Sequence, residues 1–531
     1  MQFSALTAYP YPSGRRVVMG NRFAAATSQP LATLAGMEMF WAGGNAVDAA
    51  IAMAITLTVV EPTSNGIGSD AFALVWDGTL HGLNASGRSP NGLSVDRLAA
   101  LKQIPSLGWL PVTVPGAVSA WRSLWQRWGK LPFEQLFEPA IRYAEQGFPV
   151  SPETARAWQS VESVFVPLTR PEFQPFQQVF FPNDRAPRAG EVWGSLAHAE
   201  TLRELAATGG DSFYRGKLAE KMAGFASDTG GLLSLEDLAQ HQADWVQPIS
   251  TTYRDLTVWE IPPNGQGIAA LMALNLLEGL DLSRYPREST TSLHWQIESM
   301  KLAFADVYQH VADANWMQVA VNHLLRKGYA AQRRKWIGER AILAQAENPT
   351  SDTVYLCAAD QDLMVSFIQS NYEGFGSGIL IPETGIALQN RGVGFSLQPD
   401  HPNAAAPSKR PFHTIIPGFL TQADQPLGPF GVMGGHMQPQ GHVQVVVNLM
   451  DYGLNPQAAL DAPRWQVTLG KTVFLEQAIP QAVVLDLIER GHQVQLMPEG
   501  RSFGKGQMIL RYGDVLVAAS EPRADGLALA G

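Results

Sequence analysis

The sequence predicts a layered α+β fold, and three observations predict it. First, 531 residues of which 46% are hydrophobic and 16% charged can bury a large core, and length alone allows roughly three or four domains. Second, helical periodicity dominates the first two thirds, whereas short β-rich runs separated by Gly and Pro turns fill the last third. Third, no fixed repeat or low-complexity linker divides the chain. Helices in front and strands behind suit packed layers around a common core.

Taken in order, "TSQPLATLAGMEMFWAGGNAVDAAIAMAITLTVVEP" reads as a helix ending at Gly43-Gly44, then a nearly all-apolar helix from Asn45 to the stop at Pro62. Its apolar part, Ala46 to Val60, carries Asp48 and falls short of a membrane span, which needs about 18 to 20 residues. "SDAFALVWDGTLHGLNASGR" alternates like a hairpin with Asp77-Gly78 as its turn. "VPGAVSAWRSLWQRWGKLPFEQLFEPAIRYAEQGFPV" supplies two amphipathic helices, and helices return from Thr290 to about Ile337. "AILAQAENPTSD" follows as a polar, exposed connector. Beyond it, "TVYLCAAD", "LMVSFIQSN", "GILIPETGIAL", "HTIIPGFLT", "HVQVVVNLMDYG" and "MILRYGDVLVAAS" are read as strands.

Composition excludes several functions. A net charge of -10 argues against a nucleic-acid footprint, which needs clustered Lys and Arg. The N-terminus lacks the apolar core and cleavage site of a secretory signal, and a single cysteine, Cys357, excludes a disulfide framework. A cytoplasmic location is the expectation. The chain contains no G-x-S-x-G elbow, H-E-x-x-H or Walker loop. "GFGSGI" follows no βαβ signal and reads as a packing turn, and His436 and His442 have no carboxylate between them and read as ordinary histidines. No cofactor or metal is implied.

What remains is an ordered series of blocks. "GGNAVDAAIAMAITLTVVEPTSNGIGSDAF", "PPNGQGIAAL", "MKLAFADVY", "GFGSGI", "PSKRP", "DAPRW" and "EPRADG" run from about residue 20 to the C-terminus. Together they resemble the γ-glutamyltranspeptidase family, and the variants "GIGSDAF" and "FIQSNYEGFGSGI" resemble its cytoplasmic, signal-less bacterial branch. The resemblance implies one domain over 1–531 with the four-layer αββα sandwich of N-terminal-nucleophile hydrolases. It also implies self-cleavage into a large subunit, 1–352, and a small subunit, 353–531, which stay together as a heterodimer.

The family block that opens with the nucleophile matches "TVYLCAAD", making Thr353 the implied nucleophile and Asp352-Thr353 the implied cleavage site. By residue type alone, Thr353 equally opens a strand. Terminal position supplies the chemistry: a hydroxyl needs a base, and a free α-amino group with a pKa near ~8 is one. The family pattern further implies Gly434 and Gly435 as oxyanion donors, Ser370 as the second hydroxyl, and Asn371 or Tyr372 at the substrate-binding asparagine. Arg88 in "SGRSP" matches the arginine that grips the substrate α-carboxylate.

Two departures bear on the substrate. The family's Asn-Asn-x-Met-Asp-Asp-Phe-Ser block reads "LQNRGVGFS", so Val393 and Gly394 replace the acidic pair that holds a glutamyl ammonium, and Arg391 adds a positive charge. The paired serines after Lys-Arg-Pro-x are His413 and Thr414. Three readings stay open: a γ-glutamyl hydrolase or transferase acting on glutathione-like amides, with water or an amine as acceptor; an amidohydrolase for glutaryl-type dicarboxylic monoamides; and an unprocessed binding scaffold.

Overall fold

The structure, a computed structural model, describes residues 11, 14–93, 95–343, 352–468, 470–497 and 500–531. Most of the connector before the implied cleavage site, 344–351, lies outside the described residues. Two sheets carry the fold. Their N-terminal strands are β1 (Val18–Gly20), β2 (Phe23–Thr27), β3 (Asp70–Trp76), β4 (Leu80–Asn84), β5 (Asp244–Val246), β6 (Ile249–Tyr253) and β7 (Leu256–Glu260). The C-terminal ones are β8 (Asp352–Asp360), β9 (Met364–Tyr372), β10 (Gly418–Gln422), β11 (Gln425–Met433), β12 (Lys505–Tyr512), β13 (Val515–Ser520) and β14 (Leu527–Ala530).

Each seven-stranded sheet mixes both halves of the chain, in the orders β1-β13-β12-β11-β10-β7-β6 and β14-β2-β8-β9-β3-β4-β5. The strands therefore do not segregate behind the helices as the sequence reading had them. The six outer helices that matter here are α1 (Pro30–Trp41), α2 (Ala46–Val60), α3 (Ala117–Trp128), α4 (Gly267–Leu277), α5 (Thr290–His310) and α6 (Met437–Met450).

Three buried clusters define the layers. Ala26, Phe72, Leu74, Cys357, Phe419 and Ile509 fill the space between the sheets. Ile51 and Ile55 of α2 pack on Val75, Leu356 and Phe367 outside one sheet. Leu271 of α4, Ile297 of α5 and Val443 of α6 pack with Val258, Leu420 and Phe430 outside the other. Helix, sheet, sheet, helix is the predicted αββα sandwich, with Cys357 in its centre. No helix among the described residues is long and apolar enough to cross a membrane.

Local signals explain where elements begin. Asn45 caps α2 with its side chain accepting from Val47 and Asp48 N-H, and Asp48 answers to the Asn45 N-H, a reciprocal capping box. The hairpin β3-β4 turns at Gly78, whose φ of +106° suits glycine. Two expected strands are absent. Residues 379–387 contribute only an isolated Leu380-Ala387 bridge, and "HVQVVVNLM" lies inside α6, buried along nearly its whole length. A continuous apolar run carries no period to tell strand from buried helix, and the strand preference of valine is largely a packing preference that a helix between layers also satisfies.

Candidate active site

Thr353 sits where β8 leaves regular pairing. Asp352 opposes Tyr372 but Val354 opposes Gln369, so the ladder with β9 bulges at Thr353. Its side chain is buried, and its hydroxyl donates to Ser370 Oγ at 3.1 Å. Ser370 Oγ also accepts from the Tyr372 N-H at 2.8 Å. At the far end of the strand, Asp360 accepts from the N-H of Ala46, Asp362 and Leu363. That carboxylate closes the β8-β9 turn and tethers the start of α2, which orients the strand bearing Thr353.

Facing β8 across the sheet interface is β11, where Gly431 leaves room for the Tyr355 ring that a Cβ would strike. Three residues later, Gly434 and Gly435 take positive φ values of +128° and +58°. Their carbonyls accept from Met437 and Gln438 in the first turn of α6. The side chain of Gln266 donates to both Gly435 O, at 2.9 Å, and Thr414 O, at 2.6 Å, tying the glycine pair to the segment after β9.

Arg391 completes this chain of contacts. The Asn390 N-H donates to Asn371 O at 3.1 Å, which sets the 388–396 segment beside the end of β9. The guanidinium is fully buried, donates through Nη1 to Thr414 Oγ1 at 2.7 Å and lies 4.4 Å from the centre of the Tyr372 ring. Its Nε and Nη2 have no hydrogen-bond partner among the described residues, and neither has the side-chain nitrogen of Asn371. Asn371 Oδ1 accepts from Ser69 Oγ at 2.8 Å. Burial lowers the Arg391 pKa to about 10.

Arg88 has a different environment. Its side chain is 40% exposed and pairs with Asp313 at 3.0 Å while donating to the Ser408 carbonyl. It lines an open polar cavity of about 380 Å³ with Arg410, Asp237 and Asp244.

His413 Nε2 meets Asp70 Oδ2 at 3.1 Å with both side chains fully buried. Since His413 Nδ1 lies 3.4 Å from the Ile415 N-H, the neutral tautomer protonated on Nε2 fits both contacts. Burial, and then the charges of Arg391 and Arg410, hold His413 well below its ordinary range. Burial also raises Asp70 to about 7, against the pull of Arg391 and the Gly87 N-H. As pH rises from about 4 to 7, an unfolded Asp70 ionises while the folded one keeps its proton, so this group's contribution to stability is lost. The full shift corresponds to roughly 4 kcal/mol. An Asp70→Asn variant should therefore show a flatter thermal midpoint between pH 4 and 7 than the native protein; parallel profiles in scanning calorimetry would refute the assignment.

The expected ordinary histidines are buried and partnered. His436 Nδ1 meets Tyr308 Oη at 2.6 Å, and His442 Nδ1 meets Glu260 at 2.6 Å. A third cluster, His294, Glu298 and His492, has metal-ligand spacing. The Lys301 ammonium occupies it instead, 2.8 Å from Glu298 and 3.4 Å from His492 Nδ1.

The chain is similar along nearly its whole length to known proteins. The sequence model described as gamma-glutamyltranspeptidase matches residues 32–531. The chain belongs to this family. It is therefore an enzyme of the N-terminal-nucleophile hydrolase fold. The glutathione hydrolase-like YwrD proenzyme of Bacillus subtilis is 32% identical over 96% of this chain and 99% of its own. The oxamate amidohydrolase proenzyme of Klebsiella pneumoniae is 33% identical over 94% of this chain and 96% of its own. A crystal structure of cephalosporin acylase from Bacillus halodurans superposes with a TM-score of 0.94 at 53% identity, covering 99% of both chains.

Several γ-glutamyltranspeptidase blocks now have physical roles. "PPNGQG" supplies Gln266, and "GSDAF" supplies Ser69 and Asp70, none of which residue type alone singled out. "DAPRW" and "EPRADG" meet in a buried network, where Arg464 donates to Glu521 at 2.7 Å and Arg523 bonds both Glu521 and Glu476. "GFGSGI" is a packing turn, its Ser377 N-H donating to Leu388 O.

Proposed function

We propose that the protein is a self-processing N-terminal-threonine amidohydrolase whose acyl donors are monoamides of dicarboxylic acids. Its nucleophile is Thr353, and the observation that carries this is the buried Thr353-Ser370 hydroxyl pair at a strand bulge on the Asp352-Thr353 bond. In the precursor the Thr353 oxygen attacks the Asp352 carbonyl carbon, the acyl group moves from nitrogen to oxygen, and water hydrolyses the ester. Products are chains 1–352 and 353–531, held together as a heterodimer by the shared sheets.

In the mature enzyme the freed α-amino group takes the hydroxyl proton as Oγ attacks the donor carbonyl. Backbone N-H groups of Gly434 and Gly435 stabilise the oxyanion, each worth about 3 kcal/mol. The amine leaves with a proton, and water releases the acid from Thr353. Ser370 orients the nucleophile throughout.

The acyl preference rests on charge. The 388–396 segment contains no carboxylate, and its Arg391 lies against the ring of Tyr372, whose N-H donates to Ser370; a cation so near the proposed nucleophile disfavours a substrate ammonium. Oxamate, named for one relative, is itself the monoamide of a dicarboxylic acid. A γ-glutamyl preference is the second reading, favoured by the glutathione hydrolase-like relative and by buried Asp70 near Arg391. Paired anilide substrates separate them. We expect glutaryl anilide to be turned over at least tenfold faster than γ-glutamyl anilide in kcat/KM; the reverse order would select the second reading, and an intact, inactive chain would reject both.

A further inference from the structure

A buried guanidinium whose N-H groups have no hydrogen-bonded anion is costly, because several kcal/mol of hydration are lost unless a partner returns them. Arg391 is such a group: fully buried, with Nη1 fixed by Thr414, with Nε and Nη2 unpartnered among the described residues, and with the carboxylates of Asp70 and Glu373 acting on it only through space. Nε and Nη2 lie on one edge of the guanidinium plane. Two parallel N-H bonds from that edge match the two oxygens of a carboxylate, and a guanidinium prefers this geometry to a single contact. The ring of Tyr372 under the guanidinium keeps the plane in place. The same residue joins this arginine to the nucleophile, since its N-H donates to the serine that receives the Thr353 hydroxyl. By contrast, Arg88 is already neutralised by Asp313 and half open to solvent.

We propose that the Nε and Nη2 edge of Arg391 is the subsite for the free carboxylate of the acyl donor, a task that Arg88 does not perform here. This rests on the reading of Thr353 as the residue that is acylated.

The test is calorimetric titration of the processed protein with glutarate, a dianion, and with butyrate, which has the same chain but one carboxylate. Glutarate should bind at least tenfold more tightly than butyrate, and Arg391→Gln should bring it down to the butyrate level. Arg391→Lys, which keeps a buried cation and guards against misfolding of the first variant, should lose about tenfold because the two-pronged edge is gone. Equal binding of glutarate and butyrate by the native protein, or native glutarate affinity in the lysine variant, would overturn the subsite. Loss of the glutarate preference in Arg88→Ala with its retention in Arg391→Lys would also do so. If glutarate binds through Arg391 but no anilide is hydrolysed, the subsite stands and the amidohydrolase reading falls. If anilides are hydrolysed but the Arg391 variants slow butyryl and glutaryl anilides equally, the subsite falls and the amidohydrolase reading stands.

Discussion

Replacing Thr353 with alanine should leave a single uncut chain of 57.7 kDa and abolish turnover. Both effects follow from one missing oxygen. Without Oγ there is no acceptor for the Asp352 acyl group, so the peptide bond persists and the α-amino base is never released. Without Oγ there is also no acyl-enzyme, and loss of a nucleophile from an assembled site costs on the order of a millionfold in kcat. The fold itself should survive, because the substitution removes one hydrogen bond, to Ser370, worth about 1 kcal/mol. Thr353→Ser keeps the oxygen and should still cut. Intact-mass spectrometry of the purified proteins decides the matter: two chains from the alanine variant would remove Thr353 from both roles.

The largest effect on stability is expected at Arg464. Its side chain is 1% exposed, and its Nη1 donates to the carbonyls of Phe503 and Gly504, each at 2.9 Å. Its Nη2 pairs with Glu521, which also accepts from the Gly506 N-H and from Arg523. Truncation to alanine leaves two carbonyls and part of a buried carboxylate uncompensated, which costs roughly 3 to 5 kcal/mol. The damage should reach the site. Gly504 is packed against Gly434 so closely that a Cβ on Gly434 would stand 3.1 Å from the Gly504 Cα. When Arg464 no longer holds that turn, the glycine pair loses its support. We expect a thermal midpoint lower by several degrees together with reduced kcat; Arg464→Lys should lose less, and an unchanged midpoint in Arg464→Ala would refute the network's role.

How much was legible in the sequence depended on whether the signal was local. The α2 start could be read from Asn45 and Asp48 because a capping box is complete within four residues. The hairpin at Gly78 was legible for the same reason. The valine run in α6 was not, since its state depended on packing between a sheet and two other helices. Nor was the interleaving of N-terminal strands with C-terminal ones, which only long-range pairing creates.

The candidate site divides along the same line. By itself, the sequence determined the order of blocks that places this chain in its family, and with it the candidate nucleophile Thr353, the hydroxyl of Ser370 and the glycine pair. Tertiary structure alone decided which arginine keeps unpartnered N-H groups among the described residues. Arg88 and Arg391 are chemically the same side chain, but folding brings Asp313 into direct contact with the first from 225 positions away, whereas the second touches Thr414 and the Tyr372 ring and meets the carboxylates of Asp70 and Glu373 only through space. The strength of a charge in a protein is set by its partners and its burial, and both are properties of the fold.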